Sequence, residues 1–358
     1  MEPSTDEKPE QQATEADPAM PDPILFATPD NPVPDNHVAG YFEGRDGRKL
    51  RYAIFKSGAP VAKGTVVLLH GRNEFIEKYF ETIRHFTDLG FWVATFDWRG
   101  QGGSDRLTKR PLRGHVHRFS DFEADLSIFL ETIVLPETRL PFVMVAHSMG
   151  GLIALSAAPG LANRIDRLVT IAPFVELSNQ RVGVGLIHTL CRLLTLVGLG
   201  WLTFESDTFP RPYEGNVLTS DPKRYARNIG IYKAWPKLRL GPPTARWIAA
   251  MLSAMKRVNR IAHLDRIQVP TLLIAAGADS IVHQRAIEKL ANRFRAGHML
   301  TIDGGRHELL HERDRYRIPT LAAIDAFLLP DEKPAIDKLL ARPSDREAGK
   351  EPEAVNAG

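Results

Sequence analysis

The 358-residue chain has a single cysteine, Cys191, and so cannot close a disulfide within itself. A reducing compartment is the expectation, with the cytoplasm as the expected location. No Cys/His group has zinc-ligand spacing. His115-Val116-His117 offers two histidines but no third ligand in a clear pattern. There is neither a Walker-type phosphate loop nor a dinucleotide glycine fingerprint. No metal or organic cofactor is expected. Long apolar runs are also missing: the nearest, Val182 to Phe204, is interrupted by His188 and Arg192 and does not read as a membrane span. The opening residues, MEPSTDEKPEQQATEADPAM, lack the basic start and apolar stretch of a secretory signal.

Basic residues are scarce at the start of the chain. Residues 1–37 hold nine acids and one lysine, a net of −8 in a chain of net +3, so the remainder carries +11. This acidic, proline-rich leader is expected to be disordered, and residues 331–358 to form a flexible polar tail.

Hydrophobic content of 43% and charged content of 25% belong to a globular protein with a sizeable core. Short apolar runs stand at Arg51–Lys56, Thr65–His70, Trp92–Asp97, Phe142–His147, Arg167–Ala172, Pro270–Ala275 and His298–Asp303. Most are continuous rather than alternating, as expected of strands covered on both faces. Helical patterns fall between them, at Glu74–Leu89, Phe122–Val134, Met149–Pro159, Ile281–Phe294 and Arg313–Leu328. Ser120-Asp121-Phe122-Glu123 reads as a capping box for the second. The alternation predicts an α/β fold, a doubly wound, mostly parallel sheet with helices on both faces. From 174 to 263 the rhythm breaks and no buried strand is apparent. A helical cap inserted between strands is expected there, dividing the core into 38–173 and 264–330.

The strongest motif is Val145-Ala146-His147-Ser148-Met149-Gly150-Gly151. A strand runs straight into Ser148 and a helical pattern of small residues follows. A sharp strand-to-helix turn would expose the Ser148 hydroxyl, and its crowding demands small residues two before and two after, here Ala146 and Gly150. A hydroxyl needs a base, and the base an orienting acid. Asp279 and His307 each follow a strand by a short glycine-containing loop, in the chain order serine, acid, histidine. Both have simpler readings: Asp279 as a turn or helix cap, His307 as one of twelve histidines. Asp303 is a rival acid at the end of His307's own strand. Backbone N–H groups of Met149 and Arg72 are the expected oxyanion donors, with Gly71 allowing close approach. His70 and Asp97 are expected to shape loops.

At these residues the sequence resembles the monoacylglycerol lipase and lysophospholipase branch of the α/β-hydrolase superfamily, closest to bacterial lysophospholipases. The resemblance runs from about Tyr41 to Leu329. It rests on His70-Gly71 with Glu74 and Tyr79, on Asp97-x-Arg99-Gly100-x-Gly102-x-Ser104, on His147-Ser148-Met149-Gly150-Gly151, on Gly277-x-Asp279-x-Ile281-Val282 and on His307-Glu308-Leu309. Leu218-Thr219-Ser220-Asp221-Pro222-x-Arg224-Tyr225 looks like the cap of the bacterial lysophospholipases. The resemblance implies Ser148, Asp279 and His307 as a triad, with Arg72 and Met149 at the oxyanion. The loop after His70-Gly71 departs from the His-Gly-Ala/Ser-Gly-Glu form of the monoacylglycerol lipases, carrying Arg72-Asn73.

Within the insertion, Val184–Trp201 is apolar except for a narrow stripe of His188, Arg192 and Thr195. Such a helix either packs fully or meets something apolar. The segment around Leu186, Leu190, Leu194 and Trp201 is thus expected either to pack against the sheet domain or to form a lid over an acyl-chain pocket that also touches lipid; the substrate-binding residues themselves are not identified. Residues 176–262 carry thirteen Lys/Arg and five Asp/Glu, which suits peripheral contact with an anionic membrane surface. No nucleic-acid-binding module accompanies that charge. The expected function is a serine ester hydrolase releasing a fatty acid from a lysophospholipid or monoacylglycerol. The alternatives are a peptidase or small-ester hydrolase with the same triad, or a non-catalytic binding protein on this fold.

Overall fold

The structure is a computed structural model that describes residues 23–177, 182–204, 209 and 212–329. Eight strands form one sheet: β1 (His37–Glu43), β2 (Lys49–Phe55), β3 (Thr65–Leu69), β4 (Trp92–Phe96), β5 (Phe142–His147), β6 (Arg167–Ile171), β7 (Thr271–Ala276) and β8 (Gly297–Ile302). Their spatial order is β1-β2-β4-β3-β5-β6-β7-β8. β1 and β2 run antiparallel to their neighbours, and from β4 to β8 all pairing is parallel. The alternating side chains of the central strands feed two cores. Val67, Leu69, Met144 and Ala146 face one side, Val66, Leu68, Val143 and Val145 the other, and all are buried. Each of these Val, Leu and Met side chains contributes about 1.5–3 kcal/mol. That burial on both faces is why these strands read as unbroken apolar runs.

On the first face pack the helices α2 (Phe119–Phe129), α3 (Met149–Ala157), α6 (Ala245–Val258) and α7 (Gln284–Ala291). On the other lie α1 (Phe80–Asp88) and α8 (Asp314–Leu328). Between β6 and β7 come α4 (Val184–Leu196), α5 (Pro222–Ala234) and α6, with no strand among the described residues. α6 sinks Trp247, Met251, Leu252 and Met255 into the main core, and α4 lies on its outer side. α5 is clamped to α1: Arg224 and Arg227 both donate to the Glu81 carboxylate, at 2.6 and 2.8 Å. The Asp221 side chain caps α5 by accepting from the Lys223 and Arg224 N–H groups.

Strand order reverses between β3 and β5, since β4 lies to one side and β6 to the other. A crevice at the carboxyl ends of two such strands is where an open α/β sheet binds ligands. Here those ends are Leu69 and His147.

Three expectations need correction. The first 22 residues and residues 330–358 lie outside the described residues, but residues 23–36 are packed. Leu25 and Phe26 are buried, Phe26 N–H donates to Glu77 Oε1 at 3.0 Å and Arg51 Nη1 to the Ile24 carbonyl at 2.9 Å. Composition predicted disorder here because two apolar side chains and a few backbone bonds do the anchoring. Second, β1 is a strand that the apolar pattern does not announce; at the sheet edge Val38 and Tyr41 stay exposed and Phe42 alone is buried. Third, the cap of α2 lies two residues earlier than Ser120. Arg118 precedes the helix, and its N–H donates to Asp121 Oδ2 at 3.0 Å.

Candidate active site

β5 delivers Ser148 at the turn into α3. Its backbone sits at φ 51°, ψ −112°, a conformation that costs a non-glycine residue about 1–3 kcal/mol. Neighbouring bonds hold it there: Ser148 N–H donates to the Ile171 carbonyl at 2.9 Å, and the Ser148 carbonyl accepts from Leu152 and Phe174. The steric demand is explicit at Gly150, where a Cβ would lie 2.6 Å from the His70 carbonyl oxygen and 2.8 Å from that of Leu69.

The structure brings Ser148, Asp279 and His307 together, buried, at the carboxyl edge of the sheet. His307 Nε2 is 2.9 Å from Ser148 Oγ, and His307 Nδ1 is 2.7 Å from Asp279 Oδ2. The bonding pattern is met when Nδ1–H donates to Asp279 and the Ser148 hydroxyl donates to Nε2. Asp279 Oδ1 accepts from the Ile281 and Val282 N–H groups at 2.7 and 3.1 Å. Burial pushes the Asp279 carboxyl up, but its bond to His307 and these two N–H groups outweigh it and hold the group below its ordinary value. Asp303, the rival acid, is exposed.

Met149 N–H heads α3, among the helix N–H groups that have no partner within the helix. Arg72 lies on the loop after β3, and both residues line the same cavity as Ser148 and His307. On either side of Arg72 the backbone is pinned to the core. Gly71 N–H donates to Glu74 Oε2 at 2.5 Å and Asn73 N–H to Gln101 Oε1 at 2.7 Å. Gly71 cannot be larger, since a Cβ there would meet Glu74 Oε2 at 2.7 Å. His70 turns Nδ1 to the Gly71 carbonyl at 2.8 Å. Asp97 organises the next loop, accepting from Arg51 Nε, Ile76 N–H and Gly103 N–H at 2.8, 3.0 and 2.7 Å.

Beneath the serine lies a buried ionic group whose connectivity is not apparent in the sequence. Glu74 Oε2 accepts from Tyr79 Oη at 2.7 Å and faces His147 Nδ1 at 3.0 Å. Lys78 Nζ donates to Glu74 Oε1 at 2.8 Å and to Glu308 Oε1 at 2.7 Å. Burial pushes the Glu74 carboxyl up, but Lys78 and His147 more than compensate and hold it well below the usual range.

The cavity above these groups measures about 320 Å³. Its outer wall is α5, through Tyr225, Asn228, Ile229 and Tyr232, with Trp247 of α6, Phe174 and Phe209 completing it. Those four α5 residues recur at the three- and four-residue steps of one helix face, a signal the sequence carries. Leu186, Leu190, Leu194 and Trp201, one reading of which places them over the acyl chain, lie outside this lining. Leu186 and Leu190 are exposed on the outer face of α4, Leu194 packs toward Cys191, Ala245 and Ala249, and Trp201 is exposed with the Arg113 guanidinium 4.9 Å from its ring centroid. They miss the cavity because α6 stands between α4 and the sheet. His115 turns Nδ1 to Thr244 Oγ1 at 3.0 Å, and burial pushes it down to about 4. No group of three or more His, Cys, Asp or Glu suited to a metal ion is found among the described residues.

The family described as Serine aminopeptidase, S33 matches residues 60–314. The chain belongs to that family. It is similar to lysophospholipase L2 of Escherichia coli (strain K12), 33% identical over 82% of this chain and 88% of that one. It is also similar to the monoglyceride lipase of Homo sapiens, 25% identical over 75% of this chain and 82% of that one. Among solved structures, a soluble variant of monoglyceride lipase from Saccharomyces cerevisiae in complex with a substrate analog superposes with a TM-score of 0.66 at 21% identity, covering 83% of this chain and 95% of that one. That likeness shows the α/β-hydrolase fold. Among the described residues no helix is long and apolar enough to cross a membrane.

Proposed function

We propose that this serine hydrolase releases the fatty acid from a lysophospholipid through an acyl-enzyme, using Ser148, His307 and Asp279. The observation that carries the reading is the continuous hydrogen-bonded line from Ser148 Oγ through both nitrogens of His307 to Asp279. His307 Nε2 takes the proton of Ser148 as Oγ attacks the ester carbonyl. Asp279 keeps Nδ1 protonated and steadies the imidazolium. The N–H groups of Met149 and Arg72 receive the negative charge that develops on the carbonyl oxygen. His307 then gives its proton to the departing glycerol oxygen. A water, deprotonated by the same nitrogen, cleaves the acyl-serine and restores the hydroxyl.

Charge favours a phosphate-bearing lipid over a neutral one. Among the described residues, the cavity lining carries Arg72, Lys78 and Arg239 against Glu74 and Glu308, an excess of positive charge. The relationship to lysophospholipase L2 is also nearer than that to the monoglyceride lipases, 33% against 25% identity. An aminopeptidase needs a carboxylate to receive a free amine, but among the described residues the glutamates lining the cavity, Glu74 and Glu308, are both bound to Lys78.

The exposed leucines of α4, Leu186, Leu190, Leu193 and Leu196, form an apolar face. With the basic residues of the insertion it suits contact with an anionic lipid surface, where each Lys or Arg near the surface contributes about 1 kcal/mol.

The test compares a lysophospholipid and a monoacylglycerol of the same acyl chain, with wild-type protein and Ser148→Ala. Fatty-acid release by wild type alone, faster from the lysophospholipid, is the expected result. Cleavage of short esters with no release from either lipid would refute it.

A further inference from the structure

The loop after β3 is tied to the insertion at two consecutive residues. Asn73 Oδ1 accepts from Leu240 N–H at 2.8 Å, and the Asn73 carbonyl accepts from the Tyr232 hydroxyl. Arg72 Nη2 donates to the Gly241 carbonyl, and its guanidinium lies 5.2 Å from the Trp247 ring centroid. Tyr232, Leu240, Gly241 and Trp247 all belong to the segment between β6 and β7. From the core side the same loop is held by Glu74 at Gly71 and by Gln101 at Asn73. Asn73 is where the two sets of bonds meet. Its φ of 56° is one that asparagine tolerates better than most side chains do.

We propose that Asn73 is a positioning residue: by tying the loop to Leu240 and Tyr232 it sets the aim of the Arg72 N–H, so that cap position and oxyanion geometry form one mechanical unit. The proposal rests on the reading of Arg72 N–H as an oxyanion donor. Such a donor is effective only about 2.7–3.1 Å from the developing charge. The peptide that carries it is flanked by the Gly71 and Asn73 N–H groups, both committed to the core. Core bonds alone leave the loop free to tilt toward the insertion or away from it. The side-chain oxygen of residue 73, set on a backbone amide of the insertion, removes that freedom. A cap that shifts outward would draw Leu240 away and turn the Arg72 N–H off its target, so the site would be competent only with the cap seated. The pair Arg72-Asn73 replaces a smaller pair in the resembling lipases, and the bonds to Leu240 and Gly241 use the side chains of both.

The experiment uses the full chain with p-nitrophenyl butyrate and a long-chain lysophospholipid. Asn73→Gly keeps the backbone conformation and removes the side-chain acceptor; Asn73→Asp keeps an acceptor at the same reach. Since a misplacement of about 1 Å can cost on the order of a hundredfold, Asn73→Gly is expected to lower kcat at least about tenfold on both esters, with KM for the short ester within about twofold. Asn73→Asp is expected to recover most of the rate, and the thermal midpoints of both to stay near that of wild type. A kcat for Asn73→Gly within about twofold of wild type, or an Asn73→Asp protein as slow as Asn73→Gly, overturns the proposal. If Asn73→Gly fails to fold, Tyr232→Phe removes the other tie; a reduced short-ester kcat there supports the coupling and an unchanged one overturns it. A wild-type protein inert toward both esters would instead overturn the underlying hydrolase reading. A Ser148-dependent wild type with a fast Asn73→Gly would overturn the coupling alone.

Discussion

His147 stands ring to ring with His307, their centroids 5.0 Å apart, and its Nε2 donates to the His307 carbonyl at 3.2 Å while Nδ1 lies 3.0 Å from Glu74 Oε2. Both of its nitrogens thus face groups that only accept. The ring satisfies both when it carries both protons, and the residue before Ser148 is thereby braced against the backbone of the proposed base.

This sets a pH dependence of stability. Burial alone pushes His147 down, but the charge and hydrogen bond of Glu74 overcome it and raise the group above its ordinary value. A histidine raised on folding stabilises fully below its unfolded value, about 6.5, and that stabilisation is lost as pH climbs through the folded value. Denaturant unfolding from about pH 6 to pH 9 should show wild type losing stability, and His147→Gln losing less over the same window. Parallel curves would contradict the bonding pattern.

Asp279→Asn should leave the fold intact, because the amide oxygen still accepts from the Ile281 and Val282 N–H groups. With no carboxylate to hold Nδ1 protonated, kcat should fall about 10⁴-fold with little change in KM. Steady-state kinetics on a short ester checks this. A rate near wild type would remove Asp279 from the triad.

Gly150→Ala should destabilise the protein by about 1–3 kcal/mol, since the added methyl meets two backbone carbonyls rather than a side chain that can swing aside. A lowered thermal midpoint, with ester turnover reduced through the displaced His70–Gly71 loop, is the expected pair of observations. An unchanged midpoint would show that the turn is looser than described.

Paired Leu193→Glu and Leu196→Glu changes place two carboxylates on the exposed face of α4. Cosedimentation with vesicles containing anionic phospholipid should drop, while turnover of p-nitrophenyl butyrate stays at the wild-type level. Undiminished vesicle binding would move the lipid contact elsewhere.

Much of this architecture is legible in the chain because buried central strands announce themselves. Val66–Leu69 and Val143–Ala146 are apolar at every position since both faces are covered. Loops that follow such strands are then the natural places to look for Ser148, Asp279 and His307. Edge strand β1 is hidden because only Phe42 is buried, and the packed residues 23–36 are hidden inside an acidic, proline-rich stretch. Helix α4 is visible in the sequence, but a helical pattern says nothing of which neighbour the helix meets. Its leucines other than Leu194 face outward because α6 already covers the sheet, so the cavity falls to α5. The buried group of Glu74, Lys78, His147 and Glu308 joins residues up to 230 apart, such as Lys78 and Glu308, and no local pattern could have joined them.

In the proposed mechanism Ser148 is the nucleophile and His307 its base. Mass spectrometry of the protein after exposure to a fluorophosphonate addresses it directly. One adduct is expected, on the peptide containing Ser148, forming rapidly in wild type, on the order of 10³-fold or more slowly in His307→Ala, and not at all in Ser148→Ala. An adduct on any other residue, or equal labelling of wild type and His307→Ala, would contradict it.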